Sequence, residues 1–266
     1  MNILKKWRLA GLFSLFFLPF SAGAWGLLGH RIVGQVAETY LTPKAREKIR
    51  QILGTETVAM AANWADFIKS DPSYSYLSPW HYIDFKEDSL TYPVMQQYLE
   101  KDTTMDAYTR IVFLVRELKN KQLPRIKQQF YLRLLIHIVG DVHQPLHVGR
   151  SEDQGGNTIK VQWFNDPTNL HNVWDEKLIG LQLLSYTEYA AVINHPDKLQ
   201  VTAWQRQPVS KWIFESYTIA RQLYDEIRQP DQRLSYRYNF DHLATVNEQL
   251  LKGGVRLAGL LNEIFG

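Results

Sequence analysis

Two short runs in this sequence place a histidine and an aspartate four residues apart. One is Leu135-Ile136-His137-Ile138-Val139-Gly140-Asp141 and the other is His171-Asn172-Val173-Trp174-Asp175. On a helix, that spacing brings imidazole and carboxylate to one face, where zinc accepts nitrogen and oxygen donors from consecutive turns. A single such pair is an ordinary surface ion pair worth a few tenths of a kcal/mol. Two pairs point further, with His147 close behind and an apolar approach through Leu134-Leu135-Ile136, because ionisable groups in an apolar helix are costly unless paired or metal-bound. Asp66 and His81 each sit among aromatic and apolar neighbours, and taken singly each reads as a hydrogen-bonded polar group of the core. His30 reads by periodicity as a helix-surface residue. His143, two residues from Asp141, points off the shared face and is expected beside the ligands or at the surface. His195, in a loop, and His242, at a helix start, are expected to be ordinary.

The elements that must position these side chains are mostly helical. Thr42-Pro43 is an N-cap followed by proline at the first helical position, and Ala45 to Leu53 continues that helix to Gly54. Apolar residues recur at three-to-four spacing over Thr57–Ser70, Thr104–Asn120, Arg125–Val142 and Val209–Arg228. The same pattern covers Leu243–Phe265, with a break expected at Gly253-Gly254. Pro145 turns the chain after the helix that carries His137. Ser78–Phe85 reads as extended, and Asn157–Phe164 reads as a strand pair introduced by Gly155-Gly156. No linker or repeat divides the chain, so the expectation is one mainly α domain.

The first 24 residues read separately. Lys5, Lys6 and Arg8 precede an apolar run from Leu9 to Phe20, and Ala22-Gly23-Ala24 has the form of a cleavage site. Cleavage there leaves residues 25–266, beginning at Trp25. Of the 30 basic and 27 acidic residues, three basic ones lie in this leader, so the remaining chain is formally neutral. A neutral surface excludes bulk electrostatic capture of nucleic acid, and any anionic substrate must be drawn by something local, such as metal ions. The absence of cysteine excludes disulfides. The expected localisation is a bacterial periplasm or the medium, with no stable membrane association and no protein partner.

The order of Trp25, Gly29-His30, Trp64-Ala65-Asp66, Trp80-His81-Tyr82-Ile83-Asp84, His137…Asp141…His147, Gly155-Gly156-Asn157 and His171…Asp175 resembles the zinc-dependent single-strand nucleases of the S-one and P-one type, which are often also 3′-nucleotidases. Trp212…Glu215-Ser216-Tyr217 and Gly254-Val255-Arg256-Leu257-Ala258 look like the closing helices of that family. The resemblance implies a single helical domain of the phospholipase C and nuclease P-one type with a short β-hairpin. It implies three Zn²⁺ per chain. Asp66, His81, His137 and Asp141 would hold one ion. Asp141 would bridge to a second, held also by His30 and by the amine and carbonyl of Trp25. His147, His171 and Asp175 would hold the third.

Under the same resemblance, Tyr82, Asp84, Gly155 and Asn157 would bind the base of a single-stranded nucleic acid or nucleotide, and Lys69 would offset charge on the phosphoryl oxygens. On spacing alone Lys69 is a solvated helix-face lysine. The implied reaction is attack on phosphorus by a zinc-activated hydroxide, leaving 5′-phosphates. Lys69 stands where many fungal members carry arginine, and Tyr82 where members commonly have phenylalanine. A zinc-dependent phospholipase C of the same fold is the nearest rival, and a non-catalytic periplasmic zinc-binding protein is the next.

Overall fold

A computed structural model describes residues 25–266; the expected leader lies outside them. The chain runs α1 (Leu27–Thr39), α2 (Pro43–Leu53), α3 (Val58–Ala61), α4 (Trp64–Phe67), α5 (Tyr92–Lys101), α6 (Ala107–Leu118) and α7 (Arg125–Asp141). A three-stranded sheet follows in part, with β1 (Lys160–Trp163) and β2 (Asp166–Asn169). Then come α8 (Leu170–Asn172), a wider π turn over Val173–Lys177, α9 (Leu178–Gly180), α10 (Tyr186–Ile193), α11 (Lys198–Gln205), α12 (Val209–Glu226), β3 (Gln232–Leu234) and α13 (Tyr236–Phe265). The architecture is mainly α, as expected.

The central helix is α7. From Leu134 to Asp141 every residue is buried, the pattern of a helix enclosed on all sides. Its apolar residues, at roughly 1.5–3 kcal/mol for each fully buried Leu or Ile, anchor it inside the bundle. His137 and Asp141 therefore occupy a rigid part of the molecule. Thr42 caps α2 by accepting the Ala45 N–H at 3.2 Å, and the helix stops at Gly54 with φ of +74°.

Four local expectations need correction. Thr57–Ser70 is not one helix: α3 and α4 are separate turns, with Ile68–Ser70 continuing as 3₁₀ helix. The Ala62 carbonyl, which a continuous helix would use internally, instead takes the His137 Nδ1 proton at 2.6 Å. The segment Pro72–His81 is 3₁₀ helix running through Pro79, and only from Tyr82 is the chain extended. Helix α13 passes through Gly253-Gly254 without a break. A Cβ at Gly254 would lie 2.5 Å from the Val36 Cβ and 2.9 Å from the Val33 carbonyl oxygen, so the glycine lets α13 lie directly on α1. The β1–β2 hairpin pairs Lys160 with Asn169 and Trp163 with Asp166. It gains a partner absent from the sequence reading, since β3 adds in parallel with Val161 opposite Gln232.

Candidate active site

Helices α1 and α7 meet at Gly140, where α7 has no side chain. A Cβ at Gly140 would sit 2.7 Å from His30 Nδ1, so only glycine there leaves space for the ring. His30 is accordingly buried rather than on the surface, stacked on His137 with ring centroids 3.9 Å apart. Its Nε2 lies 3.3 Å from Asp141 Oδ1. The other Asp141 oxygen lies 3.0 Å from His81 Nδ1 and 3.4 Å from His137 Nε2. The two oxygens of one fully buried carboxylate thus face different histidines.

Three groups of donors are close enough to hold an ion: His30, His137 and Asp141; Asp66, His81 and His137; and His147, His171 and Asp175. His137 occurs in two of them but has one nitrogen to offer, because Nδ1 is committed to Ala62. That Nε2 lies 3.0 Å from His81 Nδ1 and 3.7 Å from Asp66 Oδ1. In the third group His171 Nε2 lies 3.1 Å from Asp175 Oδ2, and His147 Nε2 is 3.9 Å from Asp175 Oδ1. The π turn after α8 sets Asp175 beside His171, as widened turns often do at functional sites.

The main chain fixes the orientation of these rings. His137, His147 and His171 each donate Nδ1–H to a backbone carbonyl, those of Ala62, His81 and Gly155, at 2.6–2.7 Å. Each ring is thereby held with its Nε2 lone pair toward the cluster, the arrangement found behind metal-bound histidines. Both nitrogens of His30, Nε2 of His81 and His147, and Oδ1 of Asp141 are buried without a hydrogen-bond partner. Buried polar atoms left unpaired cost roughly 1–3 kcal/mol each, and a bound cation would relieve several at once. The donor set therefore fits a metal ion.

The electrostatics agree. Burial, with neighbouring histidines, holds the His30 and His81 imidazoles well below their ordinary range, and His147 likewise; burial also lowers His137. These rings stay neutral and keep a lone pair free. His171 goes the other way: burial would lower it, but Asp175 and the Gly155 carbonyl more than offset that. Burial pushes the Asp141 carboxyl well above its usual value and raises Asp175 as well, a cost that a cation reverses.

Trp25 is wholly buried, with its side chain against Gly29, and the next amide, of Gly26, donates to the Asp175 carbonyl at 2.9 Å. The start of the domain is thus tied to the third donor group. Beside the clusters opens a cavity of about 530 Å³ lined by, among others, Lys69, Tyr82, Asp84, Gly155 and Asn157, together with His81, His147 and His171. Lys69 is not a freely solvated lysine, since its Nζ donates to Asp66 Oδ1 at 2.6 Å. Tyr82 is 42% exposed. Burial, reinforced by Asp153, pushes the Asp84 carboxyl up to about 6. At Gly155, φ is +61° and a Cβ would collide with the Leu146 carbonyl oxygen. The Asn157 side chain donates to the Gln154 carbonyl at 2.8 Å, which leaves its own amide oxygen for other partners.

Several residues of the site escape sequence reasoning. Gln144 is fully buried; its amide donates to Asp175 Oδ1 at 2.5 Å and accepts the Leu146 N–H at 2.6 Å. Its position between His143 and Pro145, amid candidate ligands, was the available signal. Asp153 accepts the Gly156 N–H at 2.7 Å and the Arg150 Nε–H at 2.9 Å, holding the glycine turn. His143 is buried away from the donor groups. It donates Nδ1–H to the Val139 carbonyl at 2.7 Å and accepts from Arg256 at 3.0 Å, bracing the end of α7. His242 lies inside α13, paired with Glu226 at 2.8 Å.

A helical bundle that gathers three histidine–carboxylate groups beside one open cavity defines a candidate metal-assisted hydrolase. Residues 25–266 match the family described as S1/P1 Nuclease, and the chain belongs to that family. It is a nuclease, a phosphodiester hydrolase. It is 29% identical to Endonuclease 4 of Arabidopsis thaliana, with 91% of this chain and 89% of the relative aligned. It is 27% identical to Nuclease P1 of Penicillium citrinum, over 91% and 98%. Nuclease S1 of Aspergillus oryzae is 29% identical over 58% of this chain and 54% of its own. Family membership sets aside the non-catalytic zinc-binding protein and favours the nuclease over the phospholipase. Among the described residues no helix is long and apolar enough to cross a membrane.

Proposed function

We propose that residues 25–266 form one exported, zinc-dependent endonuclease domain that cleaves single-stranded DNA and RNA, and 3′-nucleotides, to 5′-phosphate products. Three adjoining donor groups, with His81, His147 and His171 reaching the wall of a cavity that also holds Tyr82, support this above all. His30, Asp66, His81, His137, Asp141, His147, His171 and Asp175, with the Trp25 amine and carbonyl, would hold three zinc ions. Zinc bound there would supply a nucleophile near neutral pH and neutralise developing charge on phosphate.

The chain's own residues do the rest. Asp141 holds its two oxygens toward different histidines and would contribute to holding two of the ions. Lys69, already beside Asp66, offers its ammonium group to the phosphoryl oxygens as charge develops. Lysine lacks the bidentate fork of arginine, so the contact is a point charge. Tyr82 offers a face for stacking, which any base can use, while Asp84 and Asn157 present hydrogen-bonding groups to a base edge. A base must leave its duplex partner to reach this recess, and that selects single strands.

The test is zinc analysis and intact mass of the exported protein, with assays on single-stranded DNA, RNA, duplex DNA and phosphatidylcholine. A mass beginning at Trp25, about three zincs and 5′-phosphorylated products from single strands are expected. Cleavage of the lipid alone, or of duplex as fast as single strands, would refute the substrate assignment. A retained leader would refute the role of the Trp25 amine.

A further inference from the structure

Beyond Asp84 the central cavity is continued by a second hollow of about 350 Å³, walled by Phe85, Lys86, Arg150, Ser151 and Glu152. Ser151 lines both spaces. The walls are joined, since the Phe85 amide donates to the Gly149 carbonyl at 3.0 Å. Two cations face the hollow, and one of them is held in place. The Arg150 guanidinium lies 3.8 Å from the Tyr224 ring centroid, and its Nε donates to Asp153 Oδ2 at 2.9 Å. Its two terminal nitrogens have no hydrogen-bond partner among the described residues. Lys86 is exposed and has no ion pair among the described residues. The one carboxylate in the wall, Glu152, is 75% exposed and 3.7 Å from Arg150 Nε.

A guanidinium stacked and hydrogen-bonded on one side presents a planar fork on the other, and that shape matches the oxygens of a phosphate. Its freedom is already lost in the unbound protein, so ordering costs little on binding. We propose that this hollow is a phosphate subsite, in which Arg150 and Lys86 hold the phosphodiester of the nucleotide adjoining the one whose base lies on Tyr82. The subsite rests on the nuclease reading and adds to it a preference for strand over mononucleotide. Asp153 links the two spaces, because the same carboxylate holds Arg150 and the Gly156 amide.

The test compares zinc-loaded wild type with Lys86→Gln, Arg150→Lys and Glu152→Gln on a nucleoside 3′-monophosphate and on oligodeoxyadenylates of increasing length. Lys86→Gln and Arg150→Lys should lower kcat/KM on oligomers by about tenfold through KM, and Lys86→Gln should leave the monophosphate unchanged. In Lys86→Gln the slope of log(kcat/KM) against log salt should flatten by about 0.7, the loss of one phosphate contact to a single strand, whereas Arg150→Lys keeps its charge and its slope. Glu152→Gln should raise oligomer kcat/KM by removing a competing anion. Lys86 makes no contact that folding needs, so its variant keeps the test valid if Arg150→Lys loosens the loop. Equal losses on both substrate classes in Lys86→Gln, or an unchanged salt slope in that variant, overturn the subsite alone. Wild type that cleaves neither substrate overturns the nuclease reading and the subsite with it.

Discussion

Replacing Gly140 with alanine should separate stability from activity. The added Cβ would stand 2.7 Å from His30 Nδ1 and 3.1 Å from Cε1, where ordinary contact begins at 3.4 Å, so the ring must retreat by about 0.7 Å. Alanine inside a helix is favoured over glycine by about 1 kcal/mol, whereas overpacking a rigid core costs about 1–3 kcal/mol. The balance runs from near neutral to about 2 kcal/mol destabilising, a Tm fall of at most about 8 °C for a domain of this size. Catalysis should suffer more, because groups must be held within about 0.5 Å and a 1 Å error can cost about 100-fold. We expect kcat/KM on a single-stranded oligonucleotide to fall about 10- to 100-fold, with weakened binding of the ion that His30 would hold. Differential scanning fluorimetry, zinc titration and steady-state kinetics read the three effects. In a His30→Ala background the same substitution should become stabilising, giving a coupling energy of opposite sign. Wild-type activity and metal affinity in Gly140→Ala would refute the placement of His30.

Three further substitutions test the site. Gln144→Ala leaves Asp175 Oδ1 without its donor and should cost about 1–3 kcal/mol in denaturant unfolding, with affinity for one zinc down about 10- to 100-fold by competition titration. Tyr82→Ala should raise KM by the worth of one stacked base, about 1–3 kcal/mol, while Tyr82→Phe stays close to wild type; equal effects of the two would assign the role to the hydroxyl. Asp84 has a folded-state pKa raised to about 6 by burial, so its carboxyl favours folding below about pH 4 and loses that contribution as pH rises through about 6. Asp84→Asn should therefore gain on the order of 1 kcal/mol relative to wild type at pH 8, after allowance for its partial exposure, and no gain at pH 4. An equal stability difference at both pH values would exclude ionisation as the cause.

Much of this architecture was legible because some signals are local. The Thr42-Pro43 cap and Gly54 stop delimit α2 through interactions within a few residues, and the i,i+4 pairs on α7 and after α8 need only helix geometry. What sequence misread was decided at a distance. Taken singly, Asp66 and His30 look ordinary because their partners His137 and Asp141 are 71 and 111 residues away on α7. The helix expected over Thr57–Ser70 breaks where His137, from another element, takes the Ala62 carbonyl. Gly253-Gly254 carries the composition of a helix stop, yet tertiary packing on α1 overrides it. Strand β3 has no alternating pattern to betray it, and it forms because β1 offers a free edge. Gln144 is uninformative by type, and its value lies entirely in the acceptor it meets.

His81 belongs to two groups by different atoms. Its ring faces Asp141 and His137, while its carbonyl holds His147, a member of the third group. Gly155 has a similar double attachment, its carbonyl holding His171 while the residue itself lines the central cavity. Ion uptake in such a scaffold would not be a set of independent events. An ion that fixes the His81 ring also fixes the peptide behind it, so His147 is oriented in advance and the next ion meets a partly assembled cradle. Loading would then be positively cooperative, with the apoprotein and the fully charged protein populated at the expense of partial forms. A cell making this chain would hold either an inert protein or a complete enzyme, with little between.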